Sequence, residues 1–185
     1  MSKEDKCCCG PVVSTGCCTE TSSSCCGSHP DAQKSIVIDF LYIDLSVCER
    51  CQRTGSTLDE AIEDVKKILE AAGYDIKVNY VHVQTEEQAE ELGFISSPTI
   101  RISGRDIQMD VKETLCESCG DLCGEDIDCR VWIYEGKEYT VPPKPMIVNA
   151  ILGSIYGNNS AQDSQKNSKT EVPPNLKKIF SKVKR

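Results

Sequence analysis

Residues 35–156 predict one α/β domain with a mixed sheet, and three observations carry the prediction. A β-branched and aromatic run, Ile36 to Ile43, reads as a buried strand and leads at once into Cys48-Glu49-Arg50-Cys51. An amphipathic helix and a second strand-like run, Ile76 to Val83, follow, which makes a parallel βαβ unit with a right-handed crossover. Further on, short apolar runs separated by glycine turns read as hairpins.

The elements follow in order. Leu58, Ile62, Val65, Ile68 and Leu69 recur at helical spacing, with charged residues on the opposite face. Ser56 with Asp59, or Thr57 with Glu60, suits a capping box for that helix. Gly55 suggests a kink between the CxxC turn and the regular helix, and Gly73 suits its end. Thr85 caps a short helix, Glu86 to Leu92. Ser96-Ser97-Pro98-Thr99 leads into Ile100-Arg101-Ile102, and Gly104 turns the chain toward Ile107. After a cysteine-rich insert, residues 116–129, the runs Arg130 to Tyr134 and Glu138 to Val141 flank a Glu135-Gly136-Lys137 turn. Pro145 starts a last helix through Ile147, Ile151, Leu152 and Ile155.

Composition bounds the function. The chain has 185 residues and a formal net charge of −8, unevenly spread. Residues 35–156 hold eleven basic against twenty-three acidic side chains, whereas residues 157–185 hold seven against two. So acidic a domain repels phosphate backbones, and nucleic-acid binding is not expected. No run of about 18 apolar residues predicts a membrane-spanning helix, and residues 1–34 lack the apolar core of a signal peptide. The expected compartment is the cytoplasm. There, thirteen cysteines call for redox chemistry or metal ligation and not a permanent disulfide framework.

A CxxC between strand and helix is a mechanism as well as a pattern. The first sulfur meets unsatisfied N–H groups and the positive end of the helix dipole, which favours thiolate. The two-residue spacer brings the second sulfur within disulfide reach, so Cys48 reads as nucleophile and Cys51 as resolving partner. Arg50 would support a thiolate while Glu49 would oppose it. The competing reading makes Cys48 and Cys51 half of a metal site. Together with Ser97-Pro98 before a later strand, this arrangement resembles the thioredoxin superfamily, an α/β three-layer fold with a mixed sheet. The resemblance implies a cis peptide at Pro98, packed beside the CxxC, and a Ser97 backbone that pairs with bound substrate. It also implies a thiol-reducing or oxidising protein partner. Within that superfamily the chain looks closest to an uncharacterised prokaryotic family catalogued as a domain of unknown function. There a CxRC motif and a later cysteine-rich insert occur together, matching Cys48–Cys51 and Cys116–Cys129.

Cys116, Cys119, Cys123 and Cys129 place four sulfurs within fourteen residues, with Gly120 and Gly124 allowing tight turns. Four thiolates in tetrahedral geometry make a structural zinc site. An alternative is that the insert lends its thiols to the CxxC, as a relay or a shared ligand set.

Cys7, Cys8, Cys9, Cys17, Cys18, Cys25 and Cys26 sit in a Gly/Ser/Thr background without apolar periodicity, which predicts a flexible segment over residues 1–34. Adjacent cysteines pair poorly with one another in disulfides. They are better suited to one soft ion, Cu(I), Hg(II) or trivalent arsenic. The pairs resemble the vicinal-cysteine motifs of arsenical-resistance proteins, including a thioredoxin-like arsenic metallochaperone family.

Residues 157–174 read as a polar linker, and residues 175–185 as a basic amphipathic helix. Leu176, Ile179, Phe180 and Val183 fall on one face, and Asn175 suits a cap. That helix is available to an anionic partner or membrane surface, or to the acidic domain itself. Two functions follow. One is thiol–disulfide redox chemistry at Cys48 and Cys51, in the setting of metal(loid) detoxification. The other is non-enzymatic soft-metal or arsenic binding that begins at the amino-terminal pairs.

Overall fold

The structure is a computed structural model that describes residues 34–118, 127–157 and 171–183. The seven amino-terminal cysteines, Cys119, Cys123 and most of the 157–174 linker lie outside the described residues.

Strand β1, Lys34–Tyr42, is the centre of the design. Its alternate side chains divide between two cores, as the two-residue period of a strand dictates. Ile36, Ile38 and Phe40 face one layer, while Leu41 and then Ile43 face the other. Full burial of a side chain such as Phe40 contributes about 1.5–3 kcal/mol. Helix α1, Glu49–Ala71, buries Leu58, Val65 and Leu69 on the first face. Strand β2, Tyr74–His82, returns parallel to β1 along its whole length, from Lys34 opposite Tyr74 to Tyr42 opposite His82.

Helix α2, Glu86–Leu92, starts at Thr85, whose hydroxyl accepts from the Gln88 N–H, and ends at Gly93 in the left-handed conformation. Strand β3, Thr99–Ile102, runs antiparallel to β1 and turns into the short β4, Arg105–Asp106. The sheet order is β2-β1-β3-β4, a mixed sheet. A second sheet, order β5-β6-β7, comprises Lys112–Leu115, Asp128–Tyr134 and Lys137–Tyr139. Helix α3, Lys144–Tyr156, sets Met146, Ile147 and Ile151 into the core beside α1. Helix α4, Pro174–Val183, joins α2 on the opposite side. Helices therefore cover both faces of a mixed sheet, in a thioredoxin-like three-layer arrangement.

Four local expectations change. Helix α1 runs unbroken through Gly55 from its start at Glu49, so Gly55 does not divide the CxxC turn from the helix, and it is buried beside Phe40 and Tyr80. Its cap is Cys48 and not Ser56 or Thr57, because the helix starts a full two turns earlier than the glycine suggested. Asp59 accepts from the Tyr80 hydroxyl, and the Thr57 hydroxyl bonds back to the Arg53 carbonyl. Strand β5 was not foreseen: Lys112-Glu113-Thr114-Leu115 has too little apolar content to announce itself and is held by pairing with β6.

The fourth concerns Asn175, which does not cap α4. Its side chain accepts from the Asp128 N–H (3.2 Å) and donates to the Asp128 carbonyl (2.7 Å), clasping the start of β6. Leu176, Ile179 and Phe180 are buried with Val172 against Leu41, Val83, Phe94 and Ile127. The apolar stripe of α4 is thus covered by the domain, which leaves its lysine face for any anionic partner. Asn175→Ala removes two hydrogen bonds to the backbone of the exposed Asp128 and is expected to lower stability by about 0.5–1.5 kcal/mol in denaturant unfolding. Among the described residues no helix is long and apolar enough to cross a membrane.

Candidate metal centre

The loop from β1 to α1 is shaped by Asp44, whose carboxylate accepts from the Ser46 N–H and hydroxyl and from the Val47 N–H. Partial burial works against that charge, but these bonds outweigh it and hold the carboxyl below its ordinary value. The turn delivers Cys48 to the N-cap of a helix of 23 residues. Its Sγ accepts from the Cys51 N–H at 3.4 Å, so a sulfur stands where Ser or Asp usually caps.

Both CxxC sulfurs are buried: Cys48 and Cys51 are each 1% exposed. The Cys51 thiol is pushed well above the ordinary thiol range, first by its hydrogen bond with Cys48, then by burial and by charge on Cys48. The Ser97 hydroxyl, 3.4 Å from Cys51 Sγ, pulls the other way and does not prevail. The Ser97–Pro98 peptide is cis, as the resemblance implied.

The two ends of the insert meet this pair. Cys116, just after β5, and Cys129, in β6, are buried with Cys48 and Cys51 in one cluster. The Sγ atoms of Cys48, Cys116 and Cys129 lie within 4.8 Å of one another, and this group could hold a metal ion. The Cys116 N–H bonds the Ile127 carbonyl, and Thr114 stands opposite Cys129, so the hairpin register sets both sulfurs on one side. Of the four cysteines expected to form a zinc site within the insert, two are described. Cys116 and Cys129 turn toward Cys48, while Cys119 and Cys123 lie outside the described residues.

Three further groups lock the hairpin in place, and all are legible only in three dimensions. Arg50 was expected to support a thiolate; instead its guanidinium donates to the carbonyls of Thr114, Leu115 and Cys129 and to the Thr114 hydroxyl, at 2.6–3.3 Å. It is a strut from α1 to both hairpin strands. Glu49, expected to oppose a thiolate, is exposed and faces Arg53 at 3.6 Å.

Arg130, fully buried, forms a bidentate pair with Asp106 at 2.8 and 3.0 Å and stacks over Trp132 at 4.8 Å. Finally, Ser96 donates to Glu113 at 2.7 Å, tying the proline loop to β5. Burial raises the Glu113 carboxyl above its ordinary value despite hydrogen bonds from Ser96 and Asn175.

The Ser97 backbone was expected to receive substrate. Its carbonyl already accepts from the Arg130 N–H at 2.8 Å, so the chain's own β6 occupies that side of the proline loop. A groove of about 520 Å³ opens beside the cluster, lined by Glu49, Arg50, Arg53, Cys116, Glu117 and Ser118 among others.

No curated protein and no solved structure matches the chain. A family model does match, over residues 36–151, which spans β1 to the middle of α3 and includes all four clustered cysteines. The chain belongs to the family described as Domain of unknown function (DUF2703).

Proposed function

We propose that this protein binds a thiophilic metal or metalloid ion through Cys48, Cys116 and Cys129, with trivalent arsenic the best match. One observation carries the reading: three buried sulfurs from two separate elements lie within 4.8 Å of one another. Sulfur donors select soft ions over Mg or Ca. The number of thiolates and their burial narrow the choice. Three thiolates around a trivalent ion are electrically neutral, whereas Zn(II) or Hg(II) would leave one negative charge and Cu(I) two. These side chains are only 1–2% exposed, and uncompensated charge is costly at such depth. Cys51 Sγ is not part of the trio within 4.8 Å and stays out of the count.

In this reading the amino-terminal cysteines gather the ion and the domain holds it. The test uses the full chain with the seven amino-terminal cysteines changed to serine, kept anaerobic. Native mass spectrometry with arsenite is expected to show one arsenic per chain, with three thiols lost to titration. No retained arsenic, or a loss of two thiols, would sink the reading.

A second reading, thiol–disulfide exchange at Cys48 and Cys51, is favoured by the N-cap position of Cys48 and by the neighbouring Pro98. Its burial under the hairpin makes direct attack on a large protein substrate the weaker of the two.

A further inference from the structure

The groove beside α1 is bounded by Cys116, whereas its lining includes neither Cys48 nor Cys51. Of the four clustered thiols, Cys116 is the one on the groove's wall, with its side chain 2% exposed. Cys116 Sγ lies within 4.8 Å of Cys48 Sγ, and Cys51 is buried in the same cluster. Cys48 is the shared station between the groove-side thiol and its CxxC partner. The groove's size falls in the range of small-molecule sites. Arg53 against Glu49 and Glu117 offers both signs of charge at its rim, which suits a zwitterion.

We propose that Cys116 is the entry thiol of an internal disulfide relay, through which a small zwitterionic disulfide oxidises the Cys48–Cys51 pair. Cys116 thiolate attacks one sulfur of the disulfide RSSR; the Cys116–SR bond forms, the S–S bond breaks, and RS⁻ leaves and takes a proton. Cys48 thiolate then attacks the Cys116 sulfur, which forms Cys48–Cys116 and releases the second RS⁻, again protonated to RSH. Cys51 loses its proton and attacks Cys48, which closes Cys48–Cys51 and returns Cys116 as thiolate. The pair Cys48 and Cys51 has given up two electrons and RSSR has gained them as two RSH. Each step is ordinary thiol–disulfide exchange. The roles differ from those the CxxC spacing suggests: the motif is the terminus of the relay and the hairpin supplies its mouth.

The relay does not depend on the ion, and the experiment is run on metal-free protein so that it can fail while arsenite binding survives. The full chain, with its seven amino-terminal cysteines as serine, is mixed with cystine as the probe. Disulfides are mapped by mass spectrometry over time. Cys116→Ser is expected to slow formation of Cys48–Cys51 by at least about tenfold, whereas Cys119→Ser and Cys123→Ser leave the rate as it was. An unchanged rate in Cys116→Ser would overturn the proposal, as would an equal slowing in either of the other two variants. Cys51→Ser is expected to accumulate the Cys48–Cys116 disulfide. Accumulation of a cysteine adduct on Cys48 in its place would also overturn it.

Discussion

Cys129→Ser is expected to lower the affinity for arsenite by more than about 100-fold and to leave two thiols reacting in place of three. The scale follows from metal sites generally, where loss of a mere outer-shell partner costs 10–100-fold; as Cys129 is a donor in the proposed site, its loss should cost more than that. The variant keeps the size of the side chain, and the bonds that β6 backbone groups make to Ser97 and Asn175 do not involve the sulfur. The fold is therefore expected to persist, which circular dichroism checks alongside isothermal titration. Cys51→Ser provides the contrast. Its sulfur lies outside the trio within 4.8 Å, and arsenite affinity should change by less than about tenfold. If the two variants lose affinity equally, the centre is a four-sulfur site and the neutral three-thiolate argument fails.

Asp106→Ala is expected to cost about 3–5 kcal/mol of stability, the penalty for leaving a buried charge without its partner. Arg130 is wholly buried, while the Asp106 side chain keeps 16% exposure. The guanidinium would retain the Thr99 hydroxyl and the Gln108 carbonyl but lose both carboxylate oxygens. Urea unfolding followed by circular dichroism measures the loss; a drop below about 1 kcal/mol would place this pair with weak surface bridges. The double variant Asp106→Leu with Arg130→Met should recover part of the loss, since apolar replacements remove the charge that needs company. The same experiment bears on the cysteines, because Arg130 adjoins Cys129 and joins β6 to β3 and β4.

Much of the fold was legible in the sequence because its signals are local. The β-branched run of β1, the helical stripe from Leu58 to Leu69, Thr85 before α2 and Gly73 after α1 each announce themselves within a few residues. The CxxC and the proline loop were legible for the same reason. What could not be read was convergence. Nothing in the spacing of Cys116, Cys119, Cys123 and Cys129 says that Cys116 and Cys129 lie beside Cys48, since that depends on β5 pairing with β6 and on Arg50 reaching across. Arg130 and Asn175 were hidden for a related reason: a polar residue's tertiary partner lies far off in sequence. One trace was available. Arg130 and Trp132 are two apart in a strand, a spacing that puts a cation and an aromatic ring on the same face.

The clasp of Asn175 on Asp128 reaches further than stability. In a strand a slip of one residue exchanges the two faces. Were β6 to shift so against β5, Cys129 would turn away and Asp128 or Arg130 would stand in its place. A soft sulfur would give way to a hard carboxylate oxygen or to a cation, and the site would change its chemical taste or refuse metals altogether. Helix α4 lies beyond the stretch matched by the family model, yet its first turn grips the residue where that shift would begin. In the proposed metal site, strand alignment would act as an element filter, and the hydrogen-bonded amide of Asn175 would keep the filter set to sulfur.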